Sequence, residues 1–406
     1  AAADVLRAPE VQAVEAAWRG LRFLLQECPR EAGMRVILLE TDPEHVADDL
    51  AARERAEDDI DEPDCIFVPH DYDATAPILA LAELAEQEHV PIVVGASPAL
   101  FSAAHPQALP DAFEAIERAT GDELPEWAAR WDELRTSEAT RWICAVANRV
   151  ALYGEGAGEA KRTLFGSGVW AVAAMLAASY RTTGGFARIF GKAGSLRAPA
   201  SHVIDSGPYA NTAAPTEAFY AIQPSELLAK NGILGLSSVR NSDTVALVKA
   251  PTVRAATDAV PLPAQILTGR VVRFARWVAS QLPEGCDSKT ANEIFTSAAG
   301  VFLFPGQEDA AHVRAETTNI GGEAHVLVRA AANPKIASIP FEIAFPLPLG
   351  WSVPAPASDG EPPSPTAAAP EKTADAGEEK GVGEEGGVGL ASSSVGFDVG
   401  IAKKDE

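Results

Sequence analysis

The chain has 406 residues, 47% of them hydrophobic, and a formal net charge of -24 from 57 acidic and 33 basic side chains. That apolar content supports a globular body of two or more packed layers. No apolar run approaches the roughly 20 residues that span a bilayer, and so acidic a surface repels phosphate backbones and anionic lipid, excluding nucleic acid and membrane insertion.

The first 100 residues read as alternating helix and strand. Residues 9–25 place Val11, Val14, Trp18, Leu21 and Leu25 on one helical face, which predicts a core-facing stripe with Trp18 in the core. Pro9 suits the first turn of that helix. Arg19 and Arg22 lie off the stripe, open to acidic groups of a partner or to solvent. Residues 34–40 (MRVILLE) form a short apolar run, predicted to be a buried strand. A polar helix over 43–56 follows, with Thr41 or Asp42 as its cap. Residues 65–69 and 91–95 read as further strands, separated by a helix over 77–88. Continuous apolar strands alternating with helices argue for a parallel sheet covered by helices.

Residues 106–141 are acidic and loop-rich. Helices are predicted over 138–152 and 164–180, then short strands and turns from 188 to 250. Two helices follow, over 263–282 and 288–299, and two last strands, over 324–330 and 337–345. Phe302 and Phe304 read as a buried strand end. Beyond Pro354 the composition changes to Pro, Ala, Gly and Glu, a linker or tail that cannot bury a core. Near its end Val395, Phe397, Val399 and Ile401 alternate with Gly396, Asp398 and Gly400, which is strand periodicity. Two readings stand for that stretch, a strand donated to another sheet edge and plain disorder.

Little in the sequence carries chemistry. Residues 154–158 (GEGAG) are glycine-rich, but a helical stretch is predicted before them and Glu155 and Glu159 would oppose phosphate, so an inter-helix turn is the better reading. Gly166, Ser167 and Gly168 lack the spacing of a nucleophile elbow and suit a closely packed helix start. His70, Asp71 and Asp73 follow a strand end, where α/β sheets place sites, and read chiefly as a salt-bridged turn. The four cysteines, Cys28, Cys65, Cys144 and Cys286, form no CxxC pair and read as free thiols in a reducing, cytoplasmic setting. No catalytic group, metal or cofactor is expected.

Four segments taken in order carry a resemblance: Trp18-Arg19-Gly20-Leu21 in the first helix, Ala96 to Phe101 (ASPALF), residues 164–180 (LFGSGVWAVAAMLAASY) and residues 214–238 with their Pro-Thr-Glu start. Together they make the chain similar to the large contractile-sheath subunit of bacterial type VI secretion (the TssC or VipB family), over about residues 5–350. The sequence departs from that family in a short N-terminal region, in Asp71-Tyr72-Asp73-Ala74 where the family has Asp-Tyr-Glu-Phe, and in the added tail.

The resemblance implies an α/β fold, a mostly parallel sheet covered by helices, with an additional α+β region and C-terminal strands for inter-subunit sheet formation. The chain divides on this reading into 1–105 (α/β), 106–163 (acidic connection), 164–353 (α+β core) and 354–406 (tail). It also implies a non-enzymatic subunit that pairs with a small sheath subunit (TssB- or VipA-like) and polymerises helically, or as a ring, around an inner tube protein. The candidate assembly residues are Val326, Val328, Ile339, Phe341, Ile343 and Phe345, with Val395, Phe397, Val399 and Ile401 in the tail. Two alternatives remain open: a non-contractile ring, cap or tube component of a related injection machine, and an α/β enzyme binding a small anion around His70 to Asp73.

Overall fold

A computed structural model describes residues 5–119, 124–156, 162–307 and 309–351. Helix α1 (Pro9–Gln26) is the first long helix of the described residues, with Pro9 at its first turn as anticipated. Residues 34–40 do not join a sheet. They lie on the surface outside any helix or strand, correcting the predicted buried strand. Their apolarity signals a need for cover but does not say which chain supplies it. Helix α2 (Val46–Ala52) is shorter than the sequence indicated, and Thr41 donates to Asp49 on its first turn.

The central sheet then assembles from β1 (Ile66–Tyr72), α3 (Thr75–Glu88), β2 (Ile92–Ala96), α4 (Leu109–Arg118), α5 (Glu126–Thr136) and β3 (Ile143–Ala147). Residues 138–152 are not a helix. A 3₁₀ turn over Glu138–Trp142 leads into β3, and β4 (Arg149–Glu155) follows at once. Two features decide this. ICAVA is apolar on both faces and is buried throughout, and Asn148 takes the left-handed conformation (φ 83°) that ends β3. The Asn148 amide fixes that corner, donating to the Ala218 and Leu236 carbonyls at 2.8 Å each and accepting from the Arg149 and Ala218 N–H groups at 3.0 Å.

Strand β5 (Arg162–Ser167) pairs antiparallel with β4, so the predicted helix over 164–180 begins only at α6 (Val169–Thr183). Gly154 and Glu155 lie in that ladder, opposite Thr163 and Arg162, so the glycine-rich stretch leaves a strand and not a helix. Gly168 fits the close packing foreseen for it: a methyl there would lie 2.5 Å from the Asn148 carbonyl oxygen.

The one-turn helix α7 (Gly191–Gly194) and short strands β6 (Leu196–Arg197), β7 (His202–Val203) and β8 (Ala213–Ala214) precede α8 (Ile222–Lys230) and β9 (Ile233–Gly235). The parallel sheet has the order β1-β2-β3-β9, with β10 (Ser237–Ser238) and β11 (Thr244–Ala246) completing a small sheet with β6. Because successive strand residues point to opposite faces, Ile92, Val94, Ile143, Ala145 and Ile233 face a core built with α3, Phe113, Trp127 and Trp131. Val93, Cys144, Val146 and Leu234 face a second core under α1 and α6. Both cores run across residues 105 and 163, where composition changes along the chain.

Helix α9 (Leu262–Ser280) links this body to a C-terminal α+β unit. Its Leu262 and Ile266 belong to the second core, whereas Leu267, Val271, Phe274 and Val278 belong to a third. That third core also takes α10 (Ser288–Ala298) and the antiparallel sheet β12 (Ala311–Ile320), β13 (Glu323–Ala332) and β14 (Phe341–Pro348). Residues 299–303 continue α10 as a π-helical turn, so Phe302 is exposed against Trp277 while Phe304 is buried, correcting the strand expected there. No helix among the described residues is long and apolar enough to cross a membrane.

Candidate assembly surfaces

The C-terminal sheet has its centre in β13, paired through Val326–Leu347, Val328–Phe345 and Ala330–Ile343 with β14 and through Ala315–Val328 with β12. Val326, Val328, Phe341, Ile343 and Phe345 are buried, and Ile339 packs partly buried against the same core. Alternation sends the five strand side chains inward, into the core that holds Phe274 and Phe295 of the helices behind. As side chains they hold the unit together within this chain. The outer face carries His312, Arg314, Glu316, Arg329 and Glu342, and β12 and β14 are its two edges. The tail candidates Val395, Phe397, Val399 and Ile401 lie outside the described residues.

Helix α1 is oriented opposite to the reading of its stripe. Its buried side is Ala16, Gly20, Leu21, Phe23 and Leu24. Gly20 permits that contact, since a methyl there would lie 2.4 Å from the Trp170 indole on α6. Val14, Trp18 and Leu25 point outward, Trp18 at 67% exposure, and Trp18, Leu21, Arg22, Leu25 and Gln26 line a shallow hollow. Trp18 is therefore not a core residue. Arg19 is held by Glu15 at 2.8 Å and lies 3.7 Å over the Tyr153 ring, whereas Arg22 is exposed. Arg162 also binds Glu15 at 2.9 Å, and its hydrogen bonds hold the Glu15 carboxyl below the usual range.

Next to the helix, residues 34–40 present a second apolar surface. Ile37 and Leu38 are 66% and 64% exposed, and Val36 and Leu39 are exposed as well. The two ends are anchored: Met34 packs with Leu24 and Phe67, and Thr41 binds Asp49.

The strand ends near His70 hold a charged network. Ser167 Oγ donates to Asp71 at 2.7 Å, Arg149 stands 3.7 Å from Asp71 and 3.9 Å from Glu217, and Arg149 Nη2 donates to the Phe165 carbonyl at 3.0 Å. Burial raises the Glu217 carboxyl above its ordinary value, against the pull of Arg149. Gly95 makes room, for a methyl there would lie 2.2 Å from an Asp71 oxygen. His70 rests edge-on against Tyr72 at 4.7 Å. The network ties β1, β4 and β5 to the Pro-Thr-Glu segment, and no group of His, Cys, Asp and Glu among the described residues is placed to hold a metal ion.

Residues 67–254, a little under half of the chain, match the VipB family model, described as the EvpB/VC_A0108 tail sheath N-terminal domain. This segment is similar to the tail-sheath domain of the VipB family. The matched segment contains almost all of the parallel sheet and most of both cores built on it, together with the Asp71 network. Helix α1, residues 34–40 and the C-terminal α+β unit lie outside it. No curated protein matches the chain. Among solved structures, it is similar to a chain of the anti-feeding prophage baseplate, with 14% identity over 59% of this chain and 63% of that one, TM-score 0.29. It is also similar to the helical sheath of that prophage in its contracted state, with 13% identity over 59% and 64%, TM-score 0.29. The chain spans under two thirds of the length of these two neighbours.

Two features around the matched segment escaped the sequence reading, and each left a signal. Strand β12 alternates Ala311, Val313 and Ala315 with His312, Arg314 and Glu316, the period-two pattern of a half-buried strand. In α1, the small Ala16 and Gly20 opposite the stripe mark the side on which another backbone can approach.

Proposed function

We propose that the chain is the large subunit of a contractile-sheath-like tubular assembly of a bacterial type VI secretion machine, working in the cytoplasm. The observation that carries this reading is the sheath-domain match over 67–254, whose sheet and two cores make a rigid body. In the proposed assembly the small sheath subunit packs a helix along the exposed Val14, Trp18 and Leu25 face of α1. The edge of β14 accepts a strand from a neighbouring copy by backbone pairing, whereas Ser288, Asn292 and Thr296 of α10 already bond the outward backbone groups of Val313, Ala315 and Thr317 on β12. Head-to-tail contacts of that kind wind into an open helix when the rotation does not close, and an inner tube protein fills its bore. Such a subunit needs no catalytic step: contraction is a switch between two packings of the same bodies.

Negative-stain electron microscopy of the chain, alone and co-expressed with a small sheath subunit encoded beside it, tests this. Long hollow tubes that require the partner are the expected result. Rings or caps in both preparations would replace contraction with a fixed, non-contractile role, and a monomer indifferent to the partner would overturn the assembly reading.

A further inference from the structure

Residues 35–40 belong to no helix and no strand. Their side chains are exposed along the whole run, and no backbone hydrogen bond ties them to any other described residue. Yet the run is fixed in place, by Met34 in the core at one end, by Arg35 donating to the Asp61 carbonyl at 2.8 Å, and by Thr41 on Asp49 at the other. An exposed, largely apolar run whose amides make no backbone hydrogen bond within the described residues is an open template for strand pairing.

We propose that residues 395–401 of the chain's own C-terminal segment add to residues 35–40 as a β-strand and cover them. Three observations select this occupant. Its four large side chains, Val395, Phe397, Val399 and Ile401, recur at period two, so one strand face is wholly apolar and the other carries Gly396, Asp398 and Gly400. Its seven residues match the length of 34–40. The chain between Trp351 and Val395 has 43 residues, which extend to roughly 140 Å at most, against a radius of gyration of about 22 Å for a compact body of this length. The segment therefore reaches any point on its own surface. A tether that spans its site holds its end at an effective concentration of up to about millimolar, far above that of a second copy in dilute solution, so the chain's own segment is the occupant. The edges β12 and β14 are weaker hosts, because the exposed face between them is polar. The inference does not rest on the sheath reading, since it concerns the single chain.

Hydrogen exchange followed by mass spectrometry tests it on the full chain, on a chain ending at Trp351, and on a full-length Phe397→Asp/Val399→Asp double variant. Alternate amides of residues 35–40 should exchange at least about tenfold more slowly in the full chain than in the other two. That protection should not change on tenfold dilution. Equal, fast exchange in all three proteins overturns the pairing. Protection that survives in both altered proteins assigns the strand to another occupant and also overturns it. Protection that fades on dilution transfers the segment to a neighbouring copy and overturns the own-chain assignment.

Discussion

His89 illustrates how one backbone position sets a titration. It ends α3 in the left-handed conformation (φ 55°) and is buried against Trp142. Burial first, then the positive charge of Arg276 and Arg273, lowers its pKa from 6.5 to about 4, partly opposed by a hydrogen bond to the Gln87 backbone. The unfolded chain thus takes up a proton near pH 6.5 that the folded chain refuses until about pH 4. Stability must fall as pH drops through that window and stop falling below it. The effect amounts to about 2 kcal/mol between pH 7 and pH 5. Urea unfolding midpoints at the two pH values should show a smaller drop in His89→Asn by that amount; an identical drop would mean the imidazole protonates in the fold. Gly269 on α9 meets the same residue, since a methyl there would lie 2.3 Å from the His89 carbonyl oxygen. Alanine gains up to about 1 kcal/mol of helix propensity but must displace backbone, and overpacking of that kind costs about 1–3 kcal/mol. Gly269→Ala should therefore lower the urea midpoint, and a raised midpoint would show that α9 can shift freely.

At the scale of single elements, apolar spacing and burial part company in α1. Val11, Val14, Trp18, Leu21 and Leu25 follow helical spacing well enough to read as a core stripe, yet only Leu21 is buried. The helix instead packs through Ala16, Gly20, Phe23 and Leu24, where small residues let α6 come close. Hydrophobicity in a sequence cannot distinguish a face buried by its own chain from one left for another. The same limit applies to residues 34–40. By contrast β1, β2, α3 and α9 were legible, because buried strands and long amphipathic helices satisfy their pattern inside one chain. The stretch 138–152 was not, because the turn at Asn148 depends on carbonyls 70 and 88 residues away. The outward face of α1 yields a prediction. Replacing Val14, Trp18 and Leu25 together by Glu should leave folding stability within about 0.5 kcal/mol per site, as exposed positions do. It should abolish co-purification with the small sheath subunit, the proposed partner. Thermal melting and a pull-down read the two separately; normal pairing would move the partner to another face. Phe345→Ala behaves oppositely, since emptying a core position costs about 3–5 kcal/mol before any assembly is measured.

For the whole molecule, the open matter is how the body built on the parallel sheet and the C-terminal unit act as one body. Helix α9 spans both, and Arg273 is the most buried of the polar ties between them, beside Arg270 on Asp64 and Gln307 on the Thr183 carbonyl. It donates to the buried His89 carbonyl at 2.6 Å and to Asp64 at 3.2 Å. Asp64 is half-exposed and keeps Arg270 at 3.1 Å, so it loses little when Arg273 is removed. The His89 carbonyl would lose that donor, and a buried acceptor left unsatisfied costs about 1–3 kcal/mol. Arg273→Met keeps most of the buried volume and removes only the hydrogen bonds and the charge. It should lower stability by that amount and also raise the His89 pKa, because a positive neighbour is gone, flattening the pH dependence derived above. Calorimetry then decides whether the tie couples the two parts. If it does, the variant's calorimetric enthalpy should exceed its van 't Hoff enthalpy as the C-terminal core around Phe274 and Phe295 begins to melt independently. If the two enthalpies stay equal, the apolar packing of Leu262 and Ile266 on one side of α9 and of Phe274 and Val278 on the other is enough to transmit force through the helix. The two parts would then owe their coupling to the α9 core and not to the buried guanidinium.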